Sequence, residues 1–183
     1  MKMLPTELPG VVIVEPKVFG DERGWFMESF NAARFEQGLQ DLGLPPAGPF
    51  VQDNHSCSAA GVLRGLHYQL PPHAQGKLVR VVKGSAWDVA VDIRRGSATF
   101  GRWVGVELTA DNRRQLWIPP GFAHGFLALQ DDTHFLYKTT DVYARDCERA
   151  IRWDDAEIGI GWPLAPGQQP RVAAKDAAAP GLG

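Results

Sequence analysis

The run Leu63-Arg64-Gly65-Leu66-His67-Tyr68-Gln69 places a histidine and an arginine inside what otherwise reads as a buried strand, and Lys77 follows ten residues after the histidine. A group that titrates near neutrality beside fixed positive charge suits carbon-acid chemistry, in which a base removes a proton and a cation holds the resulting oxyanion. Of the five histidines, His67 and His124 have the most suggestive surroundings. His67 sits among Arg64, Gln69 and Lys77. His124 follows the turn Pro119-Pro120-Gly121, which leads Ile118 out of one strand and Phe126 into the next, so both imidazoles could face one cavity.

Lys77 opens the run Lys77-Leu78-Val79-Arg80-Val81-Val82, whose apolar residues suggest a strand entering the core. An inward lysine is costly there unless it meets an anion, which favours a functional role over a charge capping a strand edge. Tyr137, in His134-Phe135-Leu136-Tyr137-Lys138, fits equally a packed aromatic or a phenol that protonates a carbanion. The segment Asp21 to Phe30 crowds charge and aromatic rings round Gly24, where a nucleotide ring could stack. A metal centre of the His-x-His type is disfavoured, because the position two after His67 is Gln69 and Lys77 brings a cation nearby. Cys57 and Cys147 form no zinc or disulfide spacing and read as ordinary residues.

These groups need a rigid frame. The 183 residues are 44% hydrophobic, enough for one domain with a real core, and no stretch is apolar enough to span a membrane. A formal charge of -2 offers no basic surplus for nucleic acid or an acidic membrane surface. Pro5, Glu7 and Pro9 interrupt the start where an export signal needs an apolar run, so a cytoplasmic protein is expected. Glycine (20) and proline (14) exceed the roughly 12% of average usage and are scattered as punctuation between many short elements.

Strands are expected over Phe50–His55, Val62–Gln69, Lys77–Val82, Ala86–Ile93, Arg102–Leu108, Arg114–Ile118, Gly125–Leu129 and His134–Val142, in an antiparallel sandwich or barrel. In Trp87-Asp88-Val89-Ala90-Val91-Asp92-Ile93 the large apolar residues alternate, as in a strand with one core face. One helix is expected over Asn31–Leu42, capped by Asn31 and packed across the sheet through Phe35, Leu39 and Leu42. The alanine-rich end from Arg171 to Gly183 reads as partly frayed. His67 and Arg64 lie three apart, so a regular strand would point them to opposite faces; a bulge at Gly65 would be needed for both to reach one ligand.

Seven blocks occurring in order carry a specific resemblance: Phe19-Gly20-Asp21-Glu22-Arg23-Gly24, Val51-Gln52-Asp53-Asn54-His55-Ser56, Leu63 to Gln69, Gln115-Leu116-Trp117-Ile118-Pro119, Gly121-Phe122-Ala123-His124-Gly125-Phe126, Phe135-Leu136-Tyr137-Lys138 and Lys175-Asp176. They resemble the dTDP-4-dehydrorhamnose 3,5-epimerases from about Gly10 to Pro180. The resemblance implies an all-β fold, a double-stranded β-helix or cupin-like jelly roll with a few short helices, in one domain over 1–183 with its jelly-roll core at about 45–145. It implies a homodimer needing no metal or redox cofactor, which inverts carbons 3 and 5 of dTDP-4-dehydro-6-deoxy-D-glucose to give dTDP-4-dehydro-L-rhamnose. Such a step serves carbohydrate biosynthesis, of which O antigen and cell wall are examples.

By resemblance, His67 is the general base, Asp176 the carboxylate that orients it, Tyr137 the acid on the opposite face, and Lys77 the cation near the 4-keto oxygen. Arg23, Glu28, Gln52, Asp53, Asn54, Arg64, His67, Lys77, His124, Glu148 and Lys175 match substrate-binding positions, and Tyr143 matches an aromatic that stacks on thymine. In a strand-swapped dimer Arg23 and Glu28 would reach the partner's site. Pro120 and Trp25 depart from the common glutamate and phenylalanine, and neither is a chemical residue. The competing readings are a mono-epimerase of a related dTDP-4-keto sugar, a metal-dependent cupin oxygenase, and a sugar-binding cupin without turnover.

Overall fold

The computed structural model describes the whole chain, Met1–Gly183. Thirteen strands and two helices alternate with tight turns: β1 (Lys2–Pro5), β2 (Val12–Glu15), β3 (Val18–Asp21), β4 (Gly24–Met27), α1 (Ala32–Asp41), β5 (Gln52–Ser58), β6 (Leu63–Gln69), β7 (Lys77–Lys83), β8 (Ser85–Asp92), β9 (Trp103–Thr109), β10 (Gln115–Ile118), β11 (Phe122–Ala128), β12 (Thr133–Thr139), β13 (Glu148–Ala150) and α2 (Ala174–Ala177). A six-stranded sheet runs β1-β2-β10-β7-β12-β5 and a five-stranded sheet runs β13-β6-β11-β8-β9, while β3 and β4 form a separate hairpin. Every strand pair is antiparallel. From β5 to β13 the chain passes back and forth between the two facing sheets, with only β8 and β9 as consecutive neighbours in one sheet, which makes this the expected cupin-like jelly roll. No helix is long and apolar enough to cross a membrane.

The main core lies between the sheets, where Val79, Val81, Leu116, Ile118 and Phe135 from one meet Ala86, Ala90, Phe122 and Phe126 from the other. The rings of Phe126 and Phe135 stack across this layer with centroids 4.0 Å apart. Helix α1 forms as expected: Asn31 accepts from the Arg34 N–H at 3.1 Å and Phe35 and Leu39 are fully buried. That stripe packs on Val12, Val14, Leu78 and Trp117, the outer side of the six-stranded sheet.

Two expectations are corrected. Strand β8 has no solvent face: Trp87, Val89 and Val91 pack outward under Ile151, Ile158 and Trp162, while Ala86 and Ala90 face the other sheet. The large apolar stripe therefore meets the C-terminal covering segment, and the stripe of small and acidic residues, with Asp88 and Asp92 fully buried, is the inward one. The C-terminal segment is likewise built in rather than frayed. Arg171 bridges Val62, the Arg152 N–H donates to the Pro180 carbonyl at 2.8 Å, and the Leu182 N–H donates to Asp155 at 3.0 Å. Its polar residues find fixed partners, which outweighs the weak order expected of an alanine-rich end.

Candidate active site

A cavity of about 340 Å³ opens between the two sheets. Strand β6 supplies its histidine, His67. The pairing of β6 with β11 sets His67 opposite His124 and Arg64 opposite Phe126, so three steps on β6 match two on β11. That extra residue is the irregularity that strand parity demanded, and it lets Arg64 and His67 line the same cavity. Gly65 makes it possible. Its φ is +132°, and a Cβ there would lie 2.5 Å from the Gly125 Cα and 2.9 Å from the His124 carbonyl oxygen. Gly65→Ala is therefore expected to destabilise the fold by about 1–3 kcal/mol and to lower the denaturant midpoint; an unchanged midpoint would remove this account of the glycine.

Helix α2 delivers Asp176, only 2% exposed, against β6. Its Oδ1 lies 2.7 Å from His67 Nε2, and its Oδ2 accepts from the Gly65 N–H at 3.3 Å. Burial pushes the Asp176 pKa up, but the bonds from His67 and Gly65 and the charge of Lys175 hold it below the usual carboxylate value. An ionised carboxylate only accepts, so the His67 Nε2 carries the hydrogen, which in the neutral imidazole leaves the lone pair on Nδ1.

Lys77, at the start of β7, is buried, and its Nζ donates to the His67 carbonyl oxygen at 3.2 Å across the space between the sheets. Burial lowers its pKa to about 8, against the opposing charges of Asp88 and Glu148. Tyr137 projects from β12, in the six-stranded sheet that faces His67, and burial raises its pKa, keeping a neutral phenol. Buried His124 Nε2 is 2.8 Å from Asp88 Oδ2; burial lowers the imidazole's pKa, with Asp88 opposing. A neutral His124, a neutral phenol and an oriented His67 thus share one cavity with a lysine.

The mouth is polar. Tyr143 donates to Glu148 Oε2 at 3.0 Å and Lys175 donates to Glu148 Oε1 at 3.3 Å, with Arg64 alongside. Burial pushes the Glu148 pKa up, but the Tyr143 and Lys175 bonds bring it below the usual value. Gln69 is fully committed to backbone: its amide nitrogen donates to the His73 and Val142 carbonyls and its oxygen accepts from the Ala144 N–H. It braces the segment carrying Tyr143 where a metal-binding cupin would offer a ligand.

Nine expected residues, Arg64, His67, Lys77, His124, Tyr137, Tyr143, Glu148, Lys175 and Asp176, meet in this cavity. Five do not line it. Arg23 sits at the tip of the β3–β4 hairpin, paired with Asp21, and Glu28 pairs with Arg34 at 3.1 Å. Asp53 and Asn54 border a separate groove of about 180 Å³ with Arg80 and Gln115, and Asp53 pairs with Lys138 at 2.9 Å. Gln52 acts behind the mouth, accepting from the Tyr143 N–H at 2.9 Å. The aromatic crowd round Gly24 likewise stands on the hairpin, away from the cavity.

Sequence reasoning passed over Asp88, Ser56, Gln75 and Arg171. The signal for Asp88 was present as small and acidic residues alternating through Ala86, Asp88, Ala90 and Asp92. Such a stripe suits a strand pressed against another sheet as well as one facing solvent. Arg171 sits in an irregular segment where nothing local marks it, although it lines the cavity.

The family model for dTDP-4-dehydrorhamnose 3,5-epimerase matches residues 5–183. A Shigella flexneri protein of that name is 58% identical over 176 residues, 96% of this chain and 93% of the relative. Among solved structures, a dTDP-6-deoxy-D-glucose-3,5-epimerase from Legionella pneumophila, in complex with dTDP-4-keto-L-rhamnose, is 51% identical with a TM-score of 0.90, covering 99% of this chain and 92% of that one. A 3'-monoepimerase from Streptomyces bikiniensis, in complex with dTDP-quinovose, has a TM-score of 0.88 at 34% identity, covering 98% and 87% of the two chains.

Proposed function

The chain belongs to the dTDP-4-dehydrorhamnose 3,5-epimerase family, and from that premise we propose how its own residues invert carbons 3 and 5 of dTDP-4-dehydro-6-deoxy-D-glucose. The two carbons flank the 4-keto group, so loss of either proton gives an enolate whose negative charge rests on the same oxygen. One oxyanion site can therefore serve two successive enolisations, each followed by reprotonation at carbon.

His67 takes the proton from carbon through Nδ1, and Asp176 fixes that tautomer and stabilises the imidazolium that forms. Lys77 provides the positive charge for the enolate oxygen in a site shielded from water. Tyr137 returns a proton on the other side, and before the second carbon reacts the imidazolium gives its proton to solvent and the phenolate takes one from it. Inversion requires two groups on two faces, and the observation that carries this reading is that His67 and Tyr137 line one cavity from opposite sheets. His124, held by Asp88, contributes to sugar binding. Arg64 and Lys175 suit the diphosphate as charged donors, and Tyr143 suits the thymine face.

Arg23, Glu28, Gln52, Asp53 and Asn54 complete substrate binding in a homodimer, with Arg23 and Glu28 serving the partner's site. The hairpin's exposed Phe19, Trp25 and Phe26, the last 69% exposed, support this reading, because apolar rings on a projecting ribbon gain by packing on a second subunit. The enzyme works in the cytoplasm, without a metal or redox cofactor.

Turnover in deuterated water is expected to place deuterium at both carbon 3 and carbon 5 of the product. Label at one carbon alone would identify a mono-epimerase, and label at neither would remove the proton-transfer reading. Asp176→Asn is expected to lower kcat by about 10–100-fold with KM little changed, read by steady-state kinetics; an unaltered kcat would dismiss Asp176 as the orienting group.

A further inference from the structure

On the outer side of the six-stranded sheet, away from the cavity, three potential metal ligands converge. Strand alternation turns Ser56 toward the cavity and sends its neighbours His55 and Cys57 the other way, to solvent. Across the β5–β12 pair, His134 lies directly opposite Cys57, and Asp132 stands in the turn just before β12. One carboxylate oxygen, Asp132 Oδ1, lies 3.1 Å from Cys57 Sγ and 3.3 Å from His134 Nε2. One ligand atom from each residue falls within 4.8 Å of the others.

We propose that Cys57, Asp132 and His134 form a binding site for a divalent transition-metal ion of the borderline-soft class, zinc being the type. Zinc bonds of roughly 2.0–2.3 Å in tetrahedral array set neighbouring ligand atoms about 3.3–3.6 Å apart, close to the 3.1 and 3.3 Å that separate Asp132 Oδ1 from Cys57 Sγ and His134 Nε2. Thiolate, carboxylate and imidazole together select such an ion over magnesium or calcium, and two anionic ligands balance its charge. Water completes the fourth position.

The surroundings are arranged as an outer shell. Lys83, opposite His134 on β7, pairs with Asp132 through Oδ2 and leaves Oδ1 turned toward Cys57 and His134. His55 Nε2 lies 2.9 Å from His134 Nδ1. With a metal on His134 Nε2, that ring donates its Nδ1 hydrogen to His55, the outer contact that orients a ligating histidine. Cysteine ligates as the thiolate, so metal binding displaces the Cys57 proton to solvent. The bound ion would clip the edge strand β5 to β12 and the turn before it.

Cobalt(II) is the probe, added to the purified full chain stripped of metal by chelator. One equivalent is expected to bind with a sulfur-to-cobalt charge-transfer band and release of one proton per ion. The band should vanish in Cys57→Ser and persist in Cys147→Ser, and His134→Ala should abolish tight binding. His55→Ala should retain the band while binding about 10–100-fold more weakly. Epimerase turnover should be the same in wild type and Cys57→Ser, with or without cobalt, which separates this site from the catalytic one. Absence of the band in wild type, its survival in Cys57→Ser, or binding unaltered by His134→Ala would overturn the proposal.

Discussion

His67→Ala is expected to reduce kcat by about 10²–10⁴-fold and to abolish exchange of solvent deuterium at both carbons. No second group is placed to replace it. His124 is committed to Asp88 and kept neutral by burial, and Tyr137 is a high-pKa phenol that is a poor base at neutral pH. The variant should fold, because the His67 side chain is one-quarter exposed at 26% and its loss leaves no sealed void. Affinity for dTDP should change little, since the groups proposed for the diphosphate, Arg64 and Lys175, are left in place. A sugar-binding cupin without turnover would show no exchange in the wild type either, so the comparison separates the two classes. Retained exchange in the variant would mean that another group is the base.

Lys77→Met is expected to cost about 10²–10³ in kcat, the usual penalty for removing one preorganised stabiliser of an oxyanion. Methionine keeps most of the stem's volume and removes only the charge. The same substitution should raise stability at neutral pH, because burial lowers the Lys77 pKa from 10.5 to about 8. A depressed lysine pKa means that the fold disfavours the charged form. Its cost, on the order of 3 kcal/mol, is fully present below pH 8 and fades as pH rises from the folded value toward 10.5. Activity runs the other way: kcat/KM of the wild type should fall as pH rises through about 8, where the cation is lost. The methionine variant should lack that alkaline limb. A residue kept only for structure would predict the opposite pair of results, lower stability and an unchanged pH profile.

The chemical groups were legible in the sequence because their cost made them conspicuous. A lysine opening an apolar strand, and a histidine within one, require compensation, and both prove to lie in or against the cavity. The need for an irregularity near Gly65 was equally legible, since a period of two cannot bring Arg64 and His67 to one face. The regular strands were read within a few residues of their observed ends, but β1, β2, the β3–β4 hairpin and β13 went unread. Each is three or four residues long, too short for alternation to register, whereas the equally short β10 is marked by the turn Pro119-Pro120-Gly121 that ends it. The second buried face of β8 went unread for a different reason: its larger side chains meet a covering segment far along the chain, Ile151 to Trp162, and local pattern does not show that the small and acidic face is buried as well. Asp88 was lost with it. The order in the C-terminal segment depends on partners such as Arg152 and Asp155 and has no local signature.

In the proposed mechanism proton removal and return come from opposite faces of the sugar, because the His67 base and the Tyr137 acid stand on opposing sheets. A crystal structure of the enzyme with a bound dTDP-sugar tests it most directly. The ring is expected between His67 and Tyr137, with His67 Nδ1 near carbons 3 and 5 on one face, the Tyr137 hydroxyl on the other, and the carbon 4 oxygen beside Lys77 Nζ. A sugar ring with both residues on the same face, or lying outside the cavity between the sheets, would contradict it.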